Sequence, residues 1–194
     1  MAFLEKLKFV ARMMSDPEVD RLYRELKEGR LWLAEERSLS RWQQEASFMY
    51  AHSLEKAREN GMKVGKDPKV EPCVIFMGHE LISIGDEFVC SFGATVRAVD
   101  SPVSIGDKVS MGPLSCIIGA NHGMARGAPI QDQPHESEQV TVEDDVWIGA
   151  GAIVLPGARL GKGSVVAAGS VVSGTVEAMS VVAGVPARKV RERT

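Results

Sequence analysis

Cysteine is scarce in this chain. The three that occur, Cys73, Cys90 and Cys116, are too few and too scattered to staple a small fold, and none lies in the C-x-x-C spacing that a zinc site favours. A reducing cytoplasm is the expected compartment. Net positive charge is also missing. With 23 Lys and Arg against 26 Asp and Glu the formal charge is -3, so no global field exists to hold nucleic acid, which is not expected as a partner. There is no nucleotide-triphosphate loop and no dinucleotide fingerprint. The opening stretch MAFLEKLKFVARMM is broken by Glu5, Lys6, Lys8 and Arg12, so it has neither the apolar core of a signal peptide nor the length of a membrane span. What remains is an ordinary globular balance, 44% hydrophobic and 25% charged in 194 residues, enough for one good-sized core.

The first third of the chain reads as helical. Phe3, Leu7, Val10 and Met14 share one helical face, which allows peripheral membrane contact through residues 1–14. Such stripes more often pack on their own protein, and that reading is preferred. Asp16 can cap a helix whose first turn holds Pro17 and Glu18, with Val19, Leu22, Tyr23 and Leu26 as its stripe and Gly29 as its stop. Ser40 and Gln43 have capping-box spacing for a second helix, which Asn60-Gly61 can end. Neither helix hides its apolar face alone. Residues 1–61 are therefore read as an accessory helical segment docked on the rest of the chain or on a neighbouring subunit.

From residue 62 a period of six replaces the helical stripes. Read from Val142, the units VEDDVW, IGAGAI, VLPGAR, LGKGSV, VAAGSV and VSGTVE place Val142, Ile148, Val154, Leu160, Val166 and Val172 first. Their fifth places hold Val146, Ala152, Ala158, Ser164, Ser170 and Val176. A six-residue unit is too short for a helical repeat, and β-branched residues with recurring glycine suit short strands joined by tight turns. Three units per turn would stack residues 18 apart, coil on coil, at ~4.8 Å, with the first-place side chains pointing inward. IGDEFV from Ile84, CSFGAT from Cys90, IGDKVS from Ile105 and MGPLSC from Met111 are rougher earlier coils. The expected domain is a mainly β solenoid over 62–186, followed by a basic tail, 187–194.

The stretch from about residue 120 to 139 breaks the repeat. Solenoids eject loops at corners without harm to the interior, and loops of this length are usually functional. This one carries His122 to the outside.

The hexad run, the loop NHGMARGAPIQDQ, the unit DDVWIGA and the ending VVAGVPARKVRER occur in that order. Together they resemble the hexapeptide-repeat acyltransferases, and within them the sugar O-acetyltransferases related to galactoside and maltose acetyltransferases and to polysaccharide-decorating enzymes. The resemblance covers roughly residues 65–191. It implies a left-handed parallel β-helix that assembles as a homotrimer, with acetyl-coenzyme A as acyl donor lying in the groove between subunits and no metal. The acceptor it implies is a hydroxyl of a saccharide or glycan precursor.

The family's catalytic histidine maps onto His122, as a general base that takes the acceptor's proton without a covalent acyl-enzyme. Asn121 would hold acceptor or support the loop; as asparagine tolerates left-handed turns, the structural role is an equal reading. Trp147, last in its hexad, should project outward, beside the donor cleft or at the trimer seam. Ala150 and Ala168, 18 apart, would stack and let the pantetheine arm lie close, although plain repeat composition accounts for them as well. Arg188 and Arg191 match positions that contact the nucleotide portion, and Ser173 a further cofactor contact. His52, His79 and His135 fall outside the matching motif and are read as bystanders. One departure concerns the acceptor: galactoside-type members carry an asparagine in the coil before the loop, whereas EFVCSFGATVR has none. The alternatives are a γ-carbonic-anhydrase-like metalloenzyme, whose close histidine pair is not reproduced in the sequence spacing, and a non-catalytic β-helix scaffold.

Overall fold

The computed structural model describes residues 54–71 and 73–194. The helices expected from Asp16 to Gly29 and from Ser40 onward lie outside these residues up to position 53. A helix over 54–59 ends at Asn60-Gly61, where Gly61 takes φ +93° and its N–H donates to the Arg58 carbonyl at 2.9 Å.

Beyond it the chain winds into a parallel β-solenoid with three walls. The first wall stacks Lys63–Val64, Ile82–Ile84, Val103–Ile105, Val140–Val142, Arg159–Leu160 and Thr175–Val176. The second stacks Lys69–Val70, Val89–Cys90, Ser110–Met111, Trp147–Ile148, Val165–Val166 and Ser180–Ala183. The third stacks Ile75–Met77, Thr95–Arg97, Cys116–Ile118, Ile153–Val154 and Val171–Val172. The segment 187–194 contains the strand Arg188–Glu192, which folds back antiparallel on Ser180–Ala183.

Strands this short persist because each backbone group bonds to the coil above or below, so no wall has a free edge except at its ends. The interior is a set of aliphatic ladders. Val142 pairs with Leu160, Ile148 with Val166 and Val154 with Val172, 18 residues apart in each case. Leu160, Ile148 and Val154 are fully buried, and each such side chain contributes ~1.5–3 kcal/mol relative to exposure.

Coil length is less regular than the hexads suggest. Ile84 pairs with Ile105 at a separation of 21, the extra residues being absorbed around Asp100. Leu160 pairs with Val176 at 16, because the corner at Ser173-Gly174 is two residues short. Val176 therefore stands first in its unit rather than fifth, and the sixth hexad read from the sequence is truncated.

Two devices close the corners. Glu87, Lys108, Asp145 and Met179 occupy the left-handed region at φ 55°, 57°, 58° and 56°, a conformation that glycine supplies at residue 163 of the same corner. Ahead of them runs a carboxylate ladder. The Asp86 carboxylate accepts from the Lys66 N–H at 2.8 Å, Asp107 from the Asp86 N–H at 2.7 Å, and Asp144 from the Asp107 N–H at 3.1 Å. Close stacking also fixes Gly149, where a Cβ would lie 2.6 Å from the Ala168 nitrogen.

Candidate active site

The chain leaves the third wall at Gly119 and rejoins the first at Val140. Ile105 pairs with Val142, 37 positions on, where the next coil takes 18, so the excursion adds 19 residues to one turn. It departs as a two-stranded antiparallel ribbon, Ala120–His122 against His135–Ser137. The Glu138 N–H donates to the Gly119 carbonyl at 3.1 Å and the Gly123 N–H to the Pro134 carbonyl at 3.0 Å.

The loop beyond the ribbon is closed by one side chain. The Gln133 Oε1 accepts from the Ala125 N–H at 2.8 Å, while its Nε2 donates to the carbonyls of Ala125 and Ala128, each at 3.0 Å. Gly123 makes room for this clamp, since a Cβ there would sit 3.0 Å from Gln133 Oε1 and 3.1 Å from the Pro134 carbonyl oxygen. The loop motif thus has a physical content: glycine after the histidine and glutamine at its far end together fix the backbone that presents His122.

His122 is exposed and directly opposite His135, with ring centroids 4.9 Å apart. His135 Nδ1 lies 3.9 Å from Asp100 Oδ2. Asn121 pairs with Glu136, and strand alternation sends its side chain to the other face of the ribbon from His122. His135 is thus brought beside the candidate base despite lying outside the motif, whereas His79 stands in the turn His79–Leu81, 3.5 Å from Asn60.

Trp147 projects from the second wall between Ser110 and Val165 and is 56% exposed. It borders a cleft of about 270 Å³ whose other sides are Lys108 and the pair Arg193–Asp145. Ala150 and Ala168 are exposed one above the other at the corner between the second and third walls, where the Gly169 N–H donates to the Ala150 carbonyl at 2.8 Å. Gly151 and Gly169, beside them, have open space where a side chain would start. Ser173 is exposed in the shortened corner after Val171–Val172.

Arg188 and Arg191 lie on the last strand, opposite Ala183 and Val181. Both are exposed, and their guanidinium groups donate only to the carbonyls of Ala187 (2.8 Å) and Glu192 (3.1 Å), with no ion-pair partner among the described residues. Lys189 differs: it pairs with Glu177 and Glu192, each at 2.7 Å.

The Cys90 and Cys116 thiols are poor nucleophiles. Burial, with Glu71 adding to it, pushes Cys90 up to about 12, and burial also raises Cys116. Among the described residues no three His, Cys, Asp or Glu side chains are grouped to hold a metal ion, and no helix is long and apolar enough to cross a membrane.

Residues 139–174 match the bacterial transferase hexapeptide family (six repeats). Over 151 residues the chain is 33% identical to galactoside O-acetyltransferase of Escherichia coli strain K12, covering 75% of this chain and 73% of that one. The chain belongs to the hexapeptide-repeat acyltransferases. Solved structures agree. A galactoside acetyltransferase in complex with coenzyme A superposes on this acyltransferase with a TM-score of 0.67 and 27% identity, over 89% of this chain and 90% of the other. A hexapeptide-repeat acetyltransferase of Vibrio cholerae complexed with acetyl-coenzyme A does so with a TM-score of 0.63 and 27% identity, over 93% and 91%. The winding is the left-handed parallel β-helix expected from the sequence.

Proposed function

We propose that this acyltransferase moves an acetyl group from acetyl-coenzyme A to a hydroxyl of a saccharide or glycan precursor, with His122 as general base. The observation that carries the reading is the presentation of His122, outside the solenoid, on a ribbon fixed by Gly123 and the Gln133 clamp. The imidazole accepts the hydroxyl proton as that oxygen attacks the thioester carbonyl carbon. The tetrahedral adduct then collapses with cleavage of the carbon–sulfur bond, and the proton passes from imidazolium to the departing thiolate. No acyl-enzyme is needed, in keeping with the raised Cys90 and Cys116 thiols.

The residues present suit the donor. Arg188 and Arg191, without carboxylate partners among the described residues, offer forked donors to its phosphates. Ala150 and Ala168, beside the open Gly151 and Gly169, leave a wall without bulk for the pantetheine arm, and Ser173 lies on the following corner. Trp147 walls either the donor groove or the subunit seam. Ile75, Met77, Phe92 and Leu114 are exposed on the third wall and its leading corner, which supports packing against neighbouring copies in a homotrimer. Asn121 faces away from His122 across the ribbon, which favours loop support over acceptor contact. A coenzyme A donor with unpaired cysteines suits the cytoplasm.

Replacing His122 with alanine tests the reading. Thiol release from acetyl-coenzyme A with a saccharide panel should fall ~100-fold or more while the oligomer persists, and unaltered turnover would remove His122 from the mechanism. Thermal protection by acetyl-coenzyme A, against none by zinc, separates this activity from the metalloenzyme and scaffold readings.

A further inference from the structure

The reading of His122 as base leaves open what holds its ring. The Gly123 and Glu138 amides bond across the ribbon at the pairs 123/134 and 119/138. Antiparallel ladders alternate bonded and non-bonded pairs, so the pair 122/135 falls on a non-hydrogen-bonded rung. On such rungs the Cα atoms approach most closely and the side chains on the shared face are pressed together. The two imidazoles obey this: their centroids are 4.9 Å apart and their planes are inclined by 53°. His135 is in turn bounded by Asp100, whose carboxylate oxygen lies 3.9 Å from Nδ1. Asp100 is itself held at a left-handed corner, φ 53°, in the part of the coil that carries the extra residues.

We infer that His135 is a positioning residue for His122, a second imidazole that packs against the ring of the base and restricts its rotamers, with Asp100 bounding His135. The inference rests on His122 being the base. It assigns a use to the irregular coil around Asp100, which brings a carboxylate up to the foot of the excursion. The Gln133 clamp fixes the backbone of the loop; the His135 ring fixes the side chain. A general base whose ring is free to rotate spends most of its time misaligned, and misalignment on the ångström scale costs rate rather than affinity.

The variants His135→Ala, His135→Phe and Asp100→Asn distinguish positioning from mere ribbon stability. Thiol release from acetyl-coenzyme A, with methyl β-galactoside as acceptor probe, should show kcat reduced ~10-fold or more in His135→Ala with the KM for the donor within about twofold. His135→Phe, which restores a flat ring, should recover most of that loss, and Asp100→Asn should fall between. Ring-¹⁵N spectra of histidine-labelled protein need no acceptor: the His122 signals, assigned by their disappearance in His122→Ala, should shift or broaden in His135→Ala and return in His135→Phe. Undisturbed His122 signals in His135→Ala would overturn the inference, as would a kcat equal to wild type, or a loss confined to thermal stability and KM. Full turnover in His122→Ala would instead defeat the assignment of the base, and the two failures are thereby distinguishable.

Discussion

Arg193 and Asp145, 48 positions apart in the chain, meet through an N–H donated to the Asp145 carboxylate at 2.8 Å. The same guanidinium nitrogen donates to the carbonyls of Asp145 at 3.2 Å and Gly163 at 3.1 Å, so one side chain ties the C-terminal strand to corners of two coils. Of the cations near the terminus, Arg193 thus works in structure, whereas Arg188 and Arg191 remain available.

Replacing Arg193 with alanine should loosen the last strand and open one side of the Trp147 cleft. The pair is more than a third exposed, so solvent screening limits the loss to about 1 kcal/mol. Urea unfolding would measure it, and Trp147 fluorescence should change in the native baseline.

Replacing both Arg188 and Arg191 with alanine should raise the KM for acetyl-coenzyme A with little change in kcat. Because the donor is a polyanion, the effect should shrink as salt is added. Initial-rate measurements at two ionic strengths check this, and an effect confined to the acceptor would refute the assignment.

Gln133→Ala removes three hydrogen bonds to the loop backbone while leaving every buried residue in place. The expected outcome is a thermal midpoint close to that of the parent, faster proteolytic nicking within residues 124–131, and a kcat lowered ~10-fold through a less well-oriented base. Limited trypsin digestion, with Arg126 as the target site, reads the first effect and turnover the second.

Acid should unwind the corners before the core. The backbone N–H of Lys162, then the Arg159 side chain, hold the Glu143 carboxyl below its ordinary value, and the Asp107 N–H, then Lys162, do the same for Asp144. Groups with depressed values stabilise the fold above their unfolded titration and lose that contribution as pH falls through the folded one. The melting temperature should therefore be flat above about pH 5 and decline below it, and Glu143→Gln with Asp144→Asn should blunt the decline. Thermal melts between pH 6 and pH 2 provide the measurement.

The later coils were legible because their register is written in side chains: Val142, Val154 and Leu160 face inward and repeat at one interval. The earlier coils were less so. Their left-handed corners are occupied by Glu87 and Lys108 rather than glycine, and extra residues around Asp100 shift the phase. The last hexad misled for a related reason, since Val172 and Val176 each stand first in a unit and only the short corner between them shows that the second opens a new one. At the site, His122 and the residues that fix its backbone carry a sequence pattern. The contact of His135 with it carries none, because it arises from the ribbon's rung alternation, which depends on where the two strands begin to pair.

The register of the first wall is the same across the 37-residue turn that contains the excursion as across the 18-residue turn after it. Whatever is spliced between Gly119 and Val140 is therefore invisible to the stack, provided its two ends leave and return side by side. The excursion is in this sense a detachable cassette: a foreign one could be grafted onto this scaffold, or this one onto a relative, while the folding energy stayed behind with the stacked coils.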